Sequence, residues 1–368
     1  MRRFARWALA GVIGLGVLLG GAAGYRAWRQ HQMAEQLAIR TPQGVQESRF
    51  VRLNGVEQWV TIRGQNRNNP VLLIDAGGPG GTSHLRMSLI QSYERDFTLV
   101  HWDRQGAGKT FARAGGVIDP ALTQDRLAAD GIALAEYLRG RLGKEKIALV
   151  GVSFGSISGL KMIKARPDLF SVYVGTGQEI DQPAEPQRYY DQALGWARDA
   201  GDEATLAGLR TLGPPPYDAA QEETLWALDA AVRPSEGSAA DLRNLALTLP
   251  GWSLRELLAA QAADKAARRH FTEVSQEHGR FQAASLGLDY QVPIVVIQGE
   301  WDDPTLSAGW LDQIRAPHKV GVVLPKAGHS AMIADPAAFG AALRREVLPL
   351  ARAADMQKPP PGGATALR

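Results

Sequence analysis

Three side chains that together can break acyl bonds occur along this chain in the order serine, aspartate, histidine: Ser153, Asp302 and His329. Ser153 is the centre of Gly151-Val152-Ser153-Phe154-Gly155, a G-x-S-x-G directly behind the apolar run Ile147 to Val150. A sharp strand-to-helix turn there would lift the hydroxyl out of a sheet, and the flanking glycines let neighbouring backbone pass without a Cβ clash. A serine hydroxyl is a weak nucleophile and needs an adjacent base. His329, in Ala327-Gly328-His329-Ser330, follows an apolar strand and precedes a helix, a placement that His31, His84, His101, His270, His278 and His318 do not share. Loops at the carboxyl ends of strands are where open α/β sheets keep reactive groups. The imidazole in turn needs a carboxylate to fix its tautomer. Asp302 is the first choice, with Asp303 and then Glu300 behind it, all following the run Ile294 to Ile297.

The chemistry these residues suit is acyl transfer through a covalent acyl-enzyme. It needs backbone donors for the developing oxyanion. The N–H of Phe154 is one candidate. The other is Gly78, in Asp75-Ala76-Gly77-Gly78-Pro79-Gly80-Gly81, where four glycines in seven residues allow close approach to a bound carbonyl. No metal or organic cofactor is implied. Gly106-Ala107-Gly108-Lys109-Thr110 looks like the end of a phosphate-binding loop, but the first glycine it would need falls on Asp103.

The elements that must position these groups read as α/β. Val71 to Ile74, Phe97 to Val100, Ile147 to Val150, Val172 to Val174, Ile294 to Ile297 and Val320 to Leu324 are short continuous apolar runs. Strands buried on both faces require such runs, so a mostly parallel sheet flanked by helices is expected. Helical patterns cover Asp125 to Leu142, Ser156 to Arg166 and Pro336 to Leu348. Two further strands, Ser48 to Leu53 and Glu57 to Ile62, are joined by Asn54-Gly55, a tight-turn dipeptide. Between Val174 and Pro293 no strand is expected. The Ala-, Leu- and charge-rich stretch 182–290 reads as a helical cap over the carboxyl edge, dividing a core of 45–181 and 291–354. The tail 355–368, with Pro359-Pro360-Pro361-Gly362-Gly363, is expected to be disordered.

The chain of 368 residues carries a formal charge of +3. Five arginines and no acid lie in the first 30 residues, so the remainder is slightly acidic and offers nucleic acid no electrostatic footprint. The absence of cysteine excludes disulfides and thiolate metal sites. Trp7 to Gly24 is uncharged and follows three arginines, which suggests a membrane anchor or a signal segment over residues 1–30. On that reading the membrane is a partner and the catalytic domain lies outside the cytoplasm, periplasmic or extracellular.

Taken together the motifs resemble the proline iminopeptidase branch of the α/β-hydrolases. Gly77-Gly78-Pro79-Gly80-Gly81 resembles the branch's H-G-G-P-G-G loop, His101-Trp102-Asp103-Arg104-Gln105-Gly106-Ala107-Gly108 its D-Q-R-G-x-G segment, and Gly151 to Ser156 its G-G-S-W-G-S elbow. The likeness covers residues 45 to 350. It implies a serine hydrolase with a helical cap, releasing amino-terminal residues from short peptides or amides. Departures are Ala76 for the loop histidine, a reversed Arg104-Gln105, Val152 for a glycine and Phe154 for a tryptophan. An aminopeptidase must also hold a substrate ammonium with carboxylates. Glu179, Asp181 and Glu185 border the cap, and Glu179 and Glu185 are the candidate substrate-binding pair. A carboxylesterase with the same three groups and a non-catalytic binding protein on a hydrolase scaffold are the rival readings. An aspartate, the nucleophile of epoxide hydrolases and dehalogenases, is absent from position 153.

Overall fold

The computed structural model describes residues 2–233 and 239–356. Eight strands form one sheet: β1 (Val45–Leu53), β2 (Val56–Gly64), β3 (Val71–Asp75), β4 (Thr98–Asp103), β5 (Ile147–Val152), β6 (Phe170–Thr176), β7 (Ile294–Gly299) and β8 (Lys319–Leu324). Their spatial order is β1-β2-β4-β3-β5-β6-β7-β8. β1 and β2 pair antiparallel through the two-residue Asn54-Gly55 turn, and β2 joins β4 antiparallel. Every pairing from β4 to β8 is parallel. Asn54 and Gly55 both adopt positive φ (45° and 89°), the geometry a tight hairpin demands. Every residue of β3, β4, β6 and β7 is buried, which accounts for their unbroken apolar sequences. β8, at the parallel edge, alternates exposed and half-buried positions instead.

Chain order reverses between β3 and β5. The connections leaving those strands run to opposite sides, and a crevice opens beyond their carboxyl ends. Helices α1 (Arg2–Gln36), α2 (Gly108–Arg113), α3 (Gln124–Leu142) and α4 (Phe154–Ala165) precede the insertion. α3 and α4 cover one sheet face, with Leu127, Leu134, Ile157 and Leu160 buried between them and the strands.

Between β6 and β7 the described residues hold no named strand. They form α5 (Glu185–Ala200), α6 (Glu203–Leu212), α7 (Ala219–Val232), α8 (Ala239–Thr248) and α9 (Leu254–Arg269). α5, α6 and α7 bury a small core of their own around Tyr190, Ala197, Leu209 and Leu225. Ser253 and Glu256 close a reciprocal capping box that starts α9, which packs on α2. The chain then continues through α10 (Pro304–Gln313), α11 (Ala331–Ala334), α12 (Pro336–Ala342) and α13 (Leu348–Met356). A π-helical turn, Leu343–Val347, interrupts what the sequence suggests is one helix from Pro336. The α11–α13 segment covers the second sheet face through Met332, Phe339 and Val347.

Two terminal expectations change. Asp355 and Met356, read as the start of a disordered tail, belong to α13, and Asp355 pairs with Lys144 at 2.7 Å. Residues 357–368 lie outside the described part. The membrane anchor and signal segment, and with them a catalytic domain outside the cytoplasm, are not upheld: no helix among the described residues is long and apolar enough to cross a membrane. The uncharged stretch Trp7 to Gly24 is 18 residues long, short of the roughly 20 predominantly apolar residues a spanning helix needs. The carboxyl half of α1 is docked on the protein instead. Arg26 donates to the Trp252 carbonyl at 2.6 Å and Gln30 to those of Leu249 and Trp252 at 2.9 and 3.0 Å. Met33 and Leu37 pack with Leu249 and Trp252.

Candidate active site

Ser153 occupies the turn between β5 and α4 with φ 49° and ψ −125°. A side chain in such a sparsely populated region costs about 1–3 kcal/mol, tolerated where the surroundings over-determine it. Here they do. A Cβ on Gly155 would lie 2.3 Å from the Asp75 carbonyl oxygen, and one on Gly151 would lie 2.7 Å from Ser156 Cα. Both glycines of the elbow are therefore steric necessities.

His329 follows β8 and Asp302 follows β7. His329 Nδ1 and Asp302 Oδ1 are 2.9 Å apart. The Asp302 carboxylate pushes the imidazole pKa up to about 9; Glu179 adds to this, while burial and Arg233 oppose it. Asp302 is held in turn by Gln298, whose Nε2 donates to its Oδ2 and to its carbonyl, both at 2.8 Å. Ser307 donates to Gln298 Oε1 at 3.1 Å and orients that amide. Asp303, the reserve carboxylate, has φ 43° and turns away to cap α10; its Oδ2 is 3.3 Å from Arg188.

The Ser153 hydroxyl donates to Glu179 Oε1 at 3.5 Å, the outer limit of a hydrogen bond. Glu179 is itself oriented: its N–H donates to Ser156 Oγ at 3.0 Å, and Gln182 Nε2 donates to its Oε2 at 3.2 Å. Its carboxylate also shares a hydrogen bond with Glu185, the first residue of α5. Burial, then the Glu179 charge, holds the Glu185 carboxyl well above the usual range. Glu179, Glu185, Arg188 and Tyr189 line one small cleft with Asp302 and His329. The insertion thus supplies one wall, through α5.

The donors for an oxyanion lie around Ser153. Phe154 is the first residue of α4, whose opening N–H groups have no partner within the helix and carry its positive end. Its ring packs on Phe271 with centroids 5.0 Å apart. In the glycine loop it is Gly77 that lies against the serine: a Cβ there would come within 3.1 Å of Ser153 Cβ. Gly78 has φ 59° and passes beneath Asp264 of α9.

Arg104 props this loop from below. It is fully buried, pairs with Asp75 at 2.5 Å and donates to the carbonyls of Ala76 (2.6 Å), Pro79 (3.3 Å) and Gly78. Reading the sequence as a reversed Arg-Gln pair missed this role, because nothing local marks a buried guanidinium. Gln298 was missed likewise. Lys109 of the apparent phosphate loop is spoken for: its ammonium lies over Trp59 and Trp252, 3.3 Å from Glu256.

The alpha/beta hydrolase family pattern matches residues 71–342, and the chain belongs to that family. A Bacillus subtilis protein named probable aminopeptidase YbaC is 25% identical over 306 residues, 80% of this chain and 93% of that one. Among solved structures, the proline iminopeptidase of Mycobacterium smegmatis is 20% identical with a TM-score of 0.59, covering 84% of this chain and 99% of its own. A proline iminopeptidase-related protein of Thermus thermophilus is 22% identical with a TM-score of 0.58, covering 84% and 98%.

Proposed function

We propose that this alpha/beta hydrolase is a serine aminopeptidase that removes an amino-terminal residue from short peptides or amides. The observation that carries the reading is the pair of adjacent carboxylates, Glu179 and Glu185, in the cleft beside Ser153. A substrate α-ammonium adds a second positive charge to the two carboxylates, beside the Arg188 guanidinium 3.9 Å from Glu185. Held there, the substrate presents its first carbonyl to Ser153. The names of the Bacillus and Mycobacterium relatives agree with this chemistry.

In the proposed cycle the serine hydroxyl turns from Glu179 to His329 Nε2 and attacks. Its proton passes to the imidazole, and Asp302 stabilises the imidazolium. The oxyanion is received by the Phe154 N–H and by an N–H of the 77–78 turn. The C–N bond breaks as His329 protonates the leaving amine. Water, activated by the same imidazole, then releases the acyl group.

The test uses an active-site label and paired substrates. A fluorophosphonate labels the protein, and Ser153→Ala abolishes both labelling and turnover, a loss of about 10⁴-fold or more in kcat. Proline p-nitroanilide is cleaved, its N-acetylated form is not, and Glu179→Gln raises KM for the free amine at least tenfold. Turnover of a p-nitrophenyl ester alone would assign an esterase instead. An intact protein that takes no label would be a binding protein.

A further inference from the structure

His329 stands between two clefts of opposite character. The first, described above, is acidic. The second is apolar, with walls that include Ala76, Gly77, Val152, Met332 and Ile333, and with Arg86 at its edge. Gly77 is shared between this wall and Ser153 Cβ, so the cleft opens one residue from the nucleophile. Ala76, at the position where the resembled loop carries histidine, is one of the lining residues. As it stands the cleft holds about 40 Å³, on the order of three waters or one small apolar side chain.

Apart from His329, Arg86 is the only charged side chain lining this cleft. It ends the single turn His84–Arg86, is exposed, and its side chain makes no hydrogen bond or ion pair among the described residues. Asp264, whose charge acts on it, accepts from Arg268 at Oδ2 (2.9 Å), and its Oδ1 is buried without a hydrogen-bond partner. A guanidinium with no hydrogen bond at the mouth of an apolar pocket suits a carboxylate, which it can bind through two parallel N–H···O bonds.

We propose that this second cleft is the leaving-group subsite, and that Arg86 binds a free carboxylate on the leaving group. The acidic pair on one side of His329 and the lone cation on the other then match the two ends of a zwitterion. The preferred substrate is a dipeptide with a small apolar carboxyl-terminal residue. The ammonium half of this statement rests on the aminopeptidase reading; the carboxylate half does not.

The experiment compares the full-length protein with Arg86→Leu and Arg86→Lys on prolyl-valine, prolyl-valinamide and proline p-nitroanilide. Arg86→Leu is expected to lose roughly 10- to 100-fold in kcat/KM on the free dipeptide, the range of a charge-assisted hydrogen bond, and less than about threefold on the other two. Arg86→Lys should recover part of the loss. Equal effects on dipeptide and amide, or none on either, would overturn the proposal. If the wild type cleaves no amide, the aminopeptidase reading fails by itself, and acetyl esters of 4-hydroxybenzoate and 4-hydroxybenzamide replace the peptide pair. Selective loss on the carboxylate ester in Arg86→Leu still supports the subsite; parallel behaviour rejects it.

Discussion

Among the described residues, two histidine–aspartate pairs have nearly the same geometry. His329 and Asp302 meet at 2.9 Å, and His84 and Asp103 at 2.8 Å, Nδ1 to Oδ1 in both. Their surroundings differ. The His84 side chain is 2% exposed, and its Nε2 is buried without a partner. Asp103 is held by Thr82, by His84 and by the Lys109 N–H. The neighbouring His101 is pushed far below the usual histidine range by burial, with the His84 charge adding to it. The His329 side chain is 30% exposed and lines both clefts. An imidazole held by a carboxylate is therefore not a catalytic assignment in itself. What separates the two is whether the far nitrogen meets packed protein or space a substrate can enter.

Substitution of the two aspartates puts that distinction to its strongest test. Asp302→Asn is expected to lower kcat by about 10⁴-fold with little change in Tm, because the imidazole loses its tautomer control. Asp103→Asn should do the opposite, costing about 1–3 kcal/mol of stability through a buried polar mismatch while kcat stays within a few-fold. Urea unfolding and steady-state kinetics on both variants decide it, and comparable kcat losses would erase the contrast.

A smaller effect probes how Asp302 is held. Gln298→Leu removes two hydrogen bonds from that residue. The expected cost is roughly 10- to 100-fold in kcat, with the base limb of the pH profile moved to lower pH as the imidazole–carboxylate contact loosens. A loss of stability with kinetics intact would make Gln298 a packing residue only.

The mildest predictions concern pH. His329 must be neutral to accept the serine proton, so kcat/KM should rise with pH along a limb near 9, the value to which Asp302 raises it. Glu179→Gln should move that limb down, since Glu179 contributes to the shift. A bound ammonium should do the same to the kcat profile. The raised pKa also has a sign in stability. Protonated His329 stabilises the fold below the unfolded-state pKa of about 6.5, and this is lost as pH rises through about 9. The stability deficit of His329→Gln should therefore shrink across that interval; a deficit that stays flat would show that the imidazole charge is uncoupled from folding.

Much of the scaffold was legible because local sterics wrote it. Gly151 and Gly155 must be glycine for the elbow to close, and the apolar runs match strands with no exposed face. The sequence ranks Asp302 ahead of Asp303 without showing why; the left-handed backbone that turns Asp303 away to cap α10 is invisible in composition. Glu179 and Glu185 were named as acids near the insertion, but their contact depends on how α5 meets the end of β6. Arg104 and Gln298 act on the site through other residues, across distances no local pattern encodes. The first 30 residues misled for a related reason: a glycine-rich apolar stretch was weighed by its charge-free length, while Arg26 and Gln30 at its end were already committed to the insertion.

That attachment has a practical side. Trp252, whose carbonyl receives Arg26 and Gln30, also rests its indole 6.3 Å from the His84 ring and 5.1 Å from the Lys109 ammonium. Trimming the amino terminus beyond residue 30 to ease purification would leave that carbonyl short of two donors. The disturbance would reach Asp103 through His84, so a shortened protein should first be compared with the full-length one in Tm.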